Sequence, residues 1–287
     1  MTTTYTKRCG VLLAAFALIL LLGCSKSVET SVALAREHVA MLVTVAGTDV
    51  EELQRGLPEG AKHLQQLYSS KVPPRDSLSE VREQLDRARN KVQDLRVAKS
   101  TFFVVAEPNG TVLRSDREPD LMAGRNLFTS FPTIRDTLKG TSVVTRGEMP
   151  EAAGVKGRRD GQFVVSTPIV ADNAVVGVYA SGWSWSAYAF RLQNALLSEV
   201  RSRRKSEREK EPLLYVYLVV DDSVFGAPSA PEVNAEAIRK LSMLTRINGD
   251  QVFATPLEVT GREFGLAVRR APSLGQNVAV AVLRSET

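Results

Sequence analysis

The chain has 287 residues, 44% hydrophobic and 24% charged, enough for two modest domains with real apolar cores. Its formal charge is +5; Lys7 and Arg8 sit in a leader-like segment, and losing those two charges leaves +3. So small a charge, with 6% aromatics and no basic stripe interleaved with them, excludes a nucleic-acid surface, and no nucleic acid is expected among the partners.

The N-terminus pairs a short basic segment (1–8) with an apolar run (11–20) too short to span a bilayer comfortably. It ends in Leu21-Leu22-Gly23-Cys24, which resembles the bacterial lipoprotein signal, or lipobox. Gly23 at the cleavage position and Leu21 three before the cysteine match that pattern; Leu22 is bulkier than the usual Ala or Ser. The resemblance implies that 1–23 are removed as a signal peptide and that Cys24 is lipidated, anchoring the chain to a membrane. Ser25 replaces the Asp of an inner-membrane retention signal, which favours the periplasmic face of the outer membrane. The alternative is a signal-anchor helix with an incidental cysteine. Cys24 would be the sole cysteine after cleavage, so no disulfide is expected.

Residues 24–100 read as a long helical region. Val28, Val32, Ala35, Val39, Leu42, Ala46, Val50 and Leu53 recur at three-and-four spacing, predicting one apolar stripe over 28–57. Leu57-Pro58-Glu59-Gly60 is the expected stop. After Val72-Pro73-Pro74, Asp76 or Ser77 looks like an N-cap with Glu80 in the first turn, opening a helix with Leu78, Val81, Leu85, Ala88, Val92 and Leu95. These stripes fit packing on other helices or a sheet better than a coiled-coil stalk, because Ala and Thr dilute the seam. His38 and His63 lack metal-like partners in sequence, so no metal site or cofactor is expected.

Residues 101–188 form the first module. Strand runs at 101–106 and 111–113 flank Pro108-Asn109-Gly110, a hairpin signal expected to place both Asn109 and Gly110 at positive φ. A helix over 127–138 ends at Gly140. Strands follow at 142–144, 162–170 and 175–181, the last two joined at Ala171-Asp172-Asn173-Ala174. Residues 154–161 are a basic, Gly-rich loop without the Lys-Ser/Thr ending of a P-loop, read as a mobile surface loop. Residues 189–212 are a charged connecting helix closed by Pro212. A smaller second module, 213–287, repeats the plan: strands at 213–220, 224–225, 251–255, 257–259, 264–269 and 278–283, and a helix over 233–246.

Hairpin, helix, then a three-strand meander is the order of a PAS-like sandwich. The whole resembles the double Cache family of bacterial extracytoplasmic sensors: α+β, with long N-terminal helices followed by two PAS-like modules, each an antiparallel sheet with flanking helices. The family's amino-acid-binding Arg-x-Trp-Tyr motif is matched only in part, by Arg125-Asn126-Leu127-Phe128. The resemblance implies a ligand between sheet and cap of the first module. Tyr179, Ser181 and Trp183 share one face of the last strand by alternation, and Arg125, Phe128 and Arg135 would approach from the cap, guanidinium suiting an anionic group. The alternative makes Tyr179, Phe128 and Trp183 plain core. Gly182-Trp183-Ser184-Trp185-Ser186 superficially matches a nucleophile elbow, but Ser186 replaces the second Gly and both histidines lie upstream, so no catalysis is expected. The expectation is a lipid-anchored periplasmic sensor of a small, anionic molecule, signalling through a membrane protein partner. The alternative is a ligand-free envelope interaction lipoprotein.

Overall fold

The computed structural model describes residues 6–70, 72–152, 160–204 and 210–286, with side chains from residue 27 onward. Helix α1 (Thr6–Leu64) forms a spine. Its stripe, including Ala35, Val39, Leu42, Ala46, Val50 and Leu53, is buried inside this chain, so the packing reading holds over the coiled-coil one. The predicted stop at Pro58 does not occur. Proline removes a hydrogen bond and costs about 3 kcal/mol in a helix interior, and close packing offsets it. A Cβ on Gly56 would lie 2.7 Å from Leu95 Cδ2, and one on Gly60 2.8 Å from the Tyr179 ring. The two bare positions let the helix press onto its neighbours past the proline.

Helix α2 (Leu78–Lys91) and α3 (Gln93–Val97) divide at Val92, where the backbone turns extended (φ −89°, ψ 116°). Ser77 occupies the N-cap of α2 but makes no capping bond; its hydroxyl donates to the Pro73 carbonyl. The first sheet comprises β1 (Phe102–Ala106), β2 (Val112–Ser115), β3 (Val143–Gly147), β4 (Gln162–Ala171) and β5 (Ala174–Ser184). It is antiparallel in the order β2-β1-β5-β4-β3. Asp172 and Asn173 both take positive φ, the two-residue turn their sequence predicts. At the other hairpin only Gly110 does: its N–H donates to Glu107 O, and Asn109 accepts from Thr111 N instead of adopting the left-handed region.

The cap over this sheet is α4 (Leu127–Ser130) followed by a 3-10 segment (Pro132–Lys139), not one helix. Pro132 has no N–H to continue the ladder, and Phe131 leaves helical geometry (ψ 75°). Helix α5 (Trp185–Arg203) then leads out; residues 205–209 of the charged run lie outside the described residues.

The second sheet repeats the order as β7-β6-β10-β9-β8, with five strands like the first. Its elements are β6 (Leu213–Val220), β7 (Ser223–Gly226), α6 (Glu232–Lys240), β8 (Val252–Val259), β9 (Arg262–Arg270) and β10 (Val278–Ser285). The helix predicted to 246 ends at Lys240 because Ser242 turns left-handed (φ 47°). Two strands were expected at 251–255 and 257–259, yet β8 runs unbroken through Pro256 as an edge strand, where a missing N–H need not cost a ladder bond.

Alternation along both sheets sorts the core. One face of each joins α1 and α5 in a continuous cluster including Leu42, Leu53, Trp183, Leu196, Val216 and Val280. The other face of each meets its own cap: Val104, Val164 and Val178 with Phe128, Phe131 and Ile134 in the first, and Val219, Val268 and Ala281 with Ile238 and Met243 in the second. At Gly265 the spine backbone presses on the second sheet; a Cβ there would lie 2.3 Å from the Ser31 carbonyl carbon.

Candidate functional site

Strand pairing decides where the six expected site residues point. Tyr179 lies opposite Val105, Ser181 opposite Phe103 and Trp183 opposite Phe163, so the three share one face as predicted. That face looks at the helices. Tyr179 stacks on Phe103 (6.2 Å), and Trp183 lies between Phe163 (4.8 Å) and Tyr188 (4.3 Å). Ser181 donates to the Phe102 carbonyl at 2.7 Å. Tyr188 in turn donates to Asp49 on α1 (2.9 Å), which also holds Arg191 of α5 (3.2 Å). Burial pushes the Tyr179 and Tyr188 hydroxyls well above their ordinary pKa.

Phe128, Arg125 and Arg135 belong to the opposite side. Phe128 is buried in the cap cluster, with the Arg135 guanidinium 5.4 Å above its ring. Both arginines are exposed, and Arg125 pairs with Glu151 at 3.0 Å. The structure therefore splits the predicted pocket: three residues pack under the helices, one fills the cap, and two guanidiniums lie on its exterior.

What lines the sheet–cap layer is a row on β4. Gln162, Val164 and Ser166 alternate onto the cap face. Ser166 Oγ and Thr137 Oγ1 are 2.7 Å apart and buried. Gln162 accepts from Met149 N (2.6 Å) and donates to the Asp160 carbonyl (3.0 Å). The Asp160 carboxylate, 4% exposed, accepts from Ser186 N at 3.2 Å in the first turn of α5. Carboxamide and carboxylate thus lie buried at the start of α5, and the hydroxyl pair lies four residues further along β4 under the cap. A signal for this face was present: beside it β5 contributes the small Ala180 and Gly182, while its aromatics face the other way. Most of the basic loop, 153–159, lies outside the described residues.

Ser184 does sit at a strand-to-helix junction, but it is fully buried with an ordinary backbone (φ −77°, ψ 149°). No group of three His, Cys, Asp or Glu among the described residues could hold a metal, and no helix among them is long and apolar enough to cross a membrane.

Two sheets in the same 2-1-5-4-3 order, each capped on one face and sharing a long helix on the other, define the double Cache/PAS-like α+β fold of sensor domains. The extracellular domain of vpHK1S-Z8, described as a histidine kinase, matches with TM-score 0.61 at 11% identity, over 91% of this chain and 93% of that one. A domain of a sensory box/GGDEF family protein from Vibrio parahaemolyticus matches at 0.56 and 13%, over 91% and 98%. The sensory domain of the Campylobacter jejuni chemoreceptor Tlp3, with isoleucine bound, overlaps more loosely: 0.47 and 15%, over 90% and 94%. No protein-family model matches the chain, and no curated protein matches it in sequence.

Proposed function

We propose that this chain is a lipid-anchored periplasmic sensor that binds a small polar molecule between its first sheet and cap and signals through a membrane protein partner in the envelope. Under this reading 1–23 are removed, Cys24 carries the lipid, and the outer membrane holds the protein. The observation that carries the ligand proposal is the buried polar row Gln162–Ser166, closed by Thr137 and adjoining Asp160. Apolar packing alone would not need it, and a ligand exchanging hydrogen bonds with these groups gains specificity from them. The anionic character expected from Arg125 and Arg135 is dropped, since both are on the cap's exterior. Ligand-induced movement of Asp160 would act on the N-terminus of α5. From there the path leads to the second sheet, where Gln193 accepts from Val216 N at 3.2 Å. The second reading, a ligand-free envelope interaction lipoprotein, is favoured by the dense apolar filling beside the row, Phe128, Phe131, Ile134 and Met149.

A thermal-shift screen of the full chain in neutral detergent against amino acids, organic acids, nucleotides and amines separates the two. A ligand at 100 times its Kd stabilises the folded state by about 2.7 kcal/mol. The expected result is a shift lost in Gln162→Ala and kept in Arg125→Ala. A flat screen supports the ligand-free reading. For the anchor, intact mass of the membrane-extracted chain should start at Cys24 with added acyl groups; an unprocessed, unmodified mass refutes it.

A further inference from the structure

A second site lies far along the chain from the first cap, where the early turns of α1 meet the ends of α5 and β10. They enclose a cleft of about 390 Å³ whose wall includes Leu34, His38, Arg203, Lys210, Arg284 and Glu286. Its cations come from separate elements. Arg284 is only 7% exposed and gives Nε to Glu286 (2.6 Å). Arg203 gives Nη1 to Glu37 (2.6 Å) and Nε to Glu199 (2.5 Å). A guanidinium has five N–H donors, so these contacts orient both groups without exhausting them. Lys210 is exposed on the rim. His38 is 5% exposed, and among the described residues its Nδ1 has no hydrogen-bond partner. A buried polar atom left so is destabilising, and an occupant of the cleft with a hydrogen-bonding group would relieve it.

We propose that this cleft binds a phosphate group. A carboxylate is planar and suits one fork, whereas a phosphate presents tetrahedral oxygens that can take donors from several directions at once. Arg203, Arg284, Lys210 and the His38 imidazole supply such a fan. Burial, and next the Arg284 charge, hold the free His38 pKa down to about 4, so the empty cleft keeps a neutral imidazole. A bound phosphate adds negative charge beside it and raises that pKa, so phosphate binding and protonation of His38 favour each other. The charged groups facing the imidazole are Glu37 on α1, Arg203 and Arg204 at the end of α5, Lys210, and Arg284 and Glu286 at the end of β10. The phosphate comes from a soluble ester or a phospholipid headgroup. With a rise of about 1.5 Å per residue, Leu34 lies roughly 15 Å along α1 from Cys24. The headgroup source, but not the site, therefore rests on the lipid-anchor reading.

The test follows the imidazole NMR signals of the two histidines in the full chain, with His63 as internal reference. In neutral detergent, inorganic phosphate should move His38 saturably and leave His63 in place. Reconstitution into phosphatidylcholine vesicles with or without phosphatidylglycerol tests the lipid source. A response to soluble phosphate alone assigns an ester; a response only to anionic vesicles assigns the headgroup. Lys210→Gln and Arg203→Gln, at exposed side chains, should each weaken the response about tenfold, the loss of one charge-assisted hydrogen bond. Arg284→Gln is the stronger but riskier variant, because Arg284 is buried. The proposal is overturned if His38 is unmoved by phosphate and by both vesicle types, if sodium chloride at equal ionic strength moves it as much, or if both exposed variants bind undiminished.

Discussion

The two sheets share a strand order and a helix layer, and they differ in how their caps are fastened. The first cap is tied by side chains inside the layer: Thr137 to Ser166, and Gln162 to the backbone of Met149 and Asp160. The second is closed by Ala235, Ile238, Met243 and Ile247 over an apolar face; its polar ties run to main-chain carbonyls, from the buried Tyr217 to Pro231 (3.2 Å) at the start of α6 and from an arginine at the margin. There Arg270 donates to the carbonyls of Ile247 (3.0 Å), Leu244 (2.7 Å) and Gln276 (3.0 Å). Main-chain carbonyls accept from one arginine whatever the neighbouring side chains are, so that fastening specifies shape. Hydroxyls and a carboxamide inside the first layer can exchange partners, so that fastening specifies chemistry as well. The helix-facing sides carry the stability common to both, leaving the caps free to diverge.

The strongest way to break this comparison is to cut the shared layer. Leu53→Ala removes a fully buried side chain from the cluster that spans both sheets. The expected loss is about 2–5 kcal/mol, and native-state hydrogen exchange should show it in β4 and β10 alike. Ile238→Ala, in the second cap cluster alone, should loosen β6 and β10 while sparing β4. If Leu53→Ala left β10 protected, the two sheets would not share a core in the energetic sense.

Much of this arrangement was legible because it depends on local periodicity. Three-and-four spacing marked the buried stripe of α1, and Asp172-Asn173 marked a turn needing two left-handed residues. Alternation also put Tyr179, Ser181 and Trp183 on one face. What alternation cannot supply is the side of the sheet on which the cap lies; that is set by pairing to β1 and β4 and by the passage of α1 beneath. Hence Tyr179, Ser181 and Trp183 were grouped with Arg125, Phe128 and Arg135, which lie on the other side of the sheet, and the polar row of Gln162 and Ser166 on that side was not singled out. Pro58 and Pro256 misled for a related reason. Each is a local breaker, and each is tolerated through its tertiary place, the first by tight packing at Gly56 and Gly60, the second at a sheet edge.

A narrower cut tests whether the first fastening differs in kind. Thr137→Val leaves the buried Ser166 hydroxyl without that partner, and Ser166→Ala does the reverse. Each alone should cost about 1–3 kcal/mol, and the pair together less than the sum, because removing both leaves neither hydroxyl stranded. Denaturant titration of the two single variants and the double gives the coupling directly. Strict additivity would mean the contact contributes nothing, and the first cap would then be held like the second, by apolar packing.

The smallest expected effect is a pH dependence at the far end of the helix layer. His38 has a folded-state pKa near 4 against an ordinary 6.5, chiefly because burial disfavours the cation. Below pH 6.5 the unfolded chain takes up a proton that the folded chain refuses until about pH 4. The His38 contribution is therefore intact above 6.5 and declines as pH falls through that window. Asp116, whose buried carboxyl has a raised pKa, pulls the opposite way. The difference between the native chain and His38→Gln isolates the histidine: the native chain should lose more stability between pH 6.5 and 4, and the curves should run parallel above that. Exchange protection at β10, beside Arg284, corrected for the intrinsic rate, should fall in acid before protection at β4. Phosphate in the cleft should delay that loss, since a bound anion lets the folded state accept the proton as well. Acid would then act first on the second sheet's end of the molecule and a cap ligand first on the other, with α5 connecting the two.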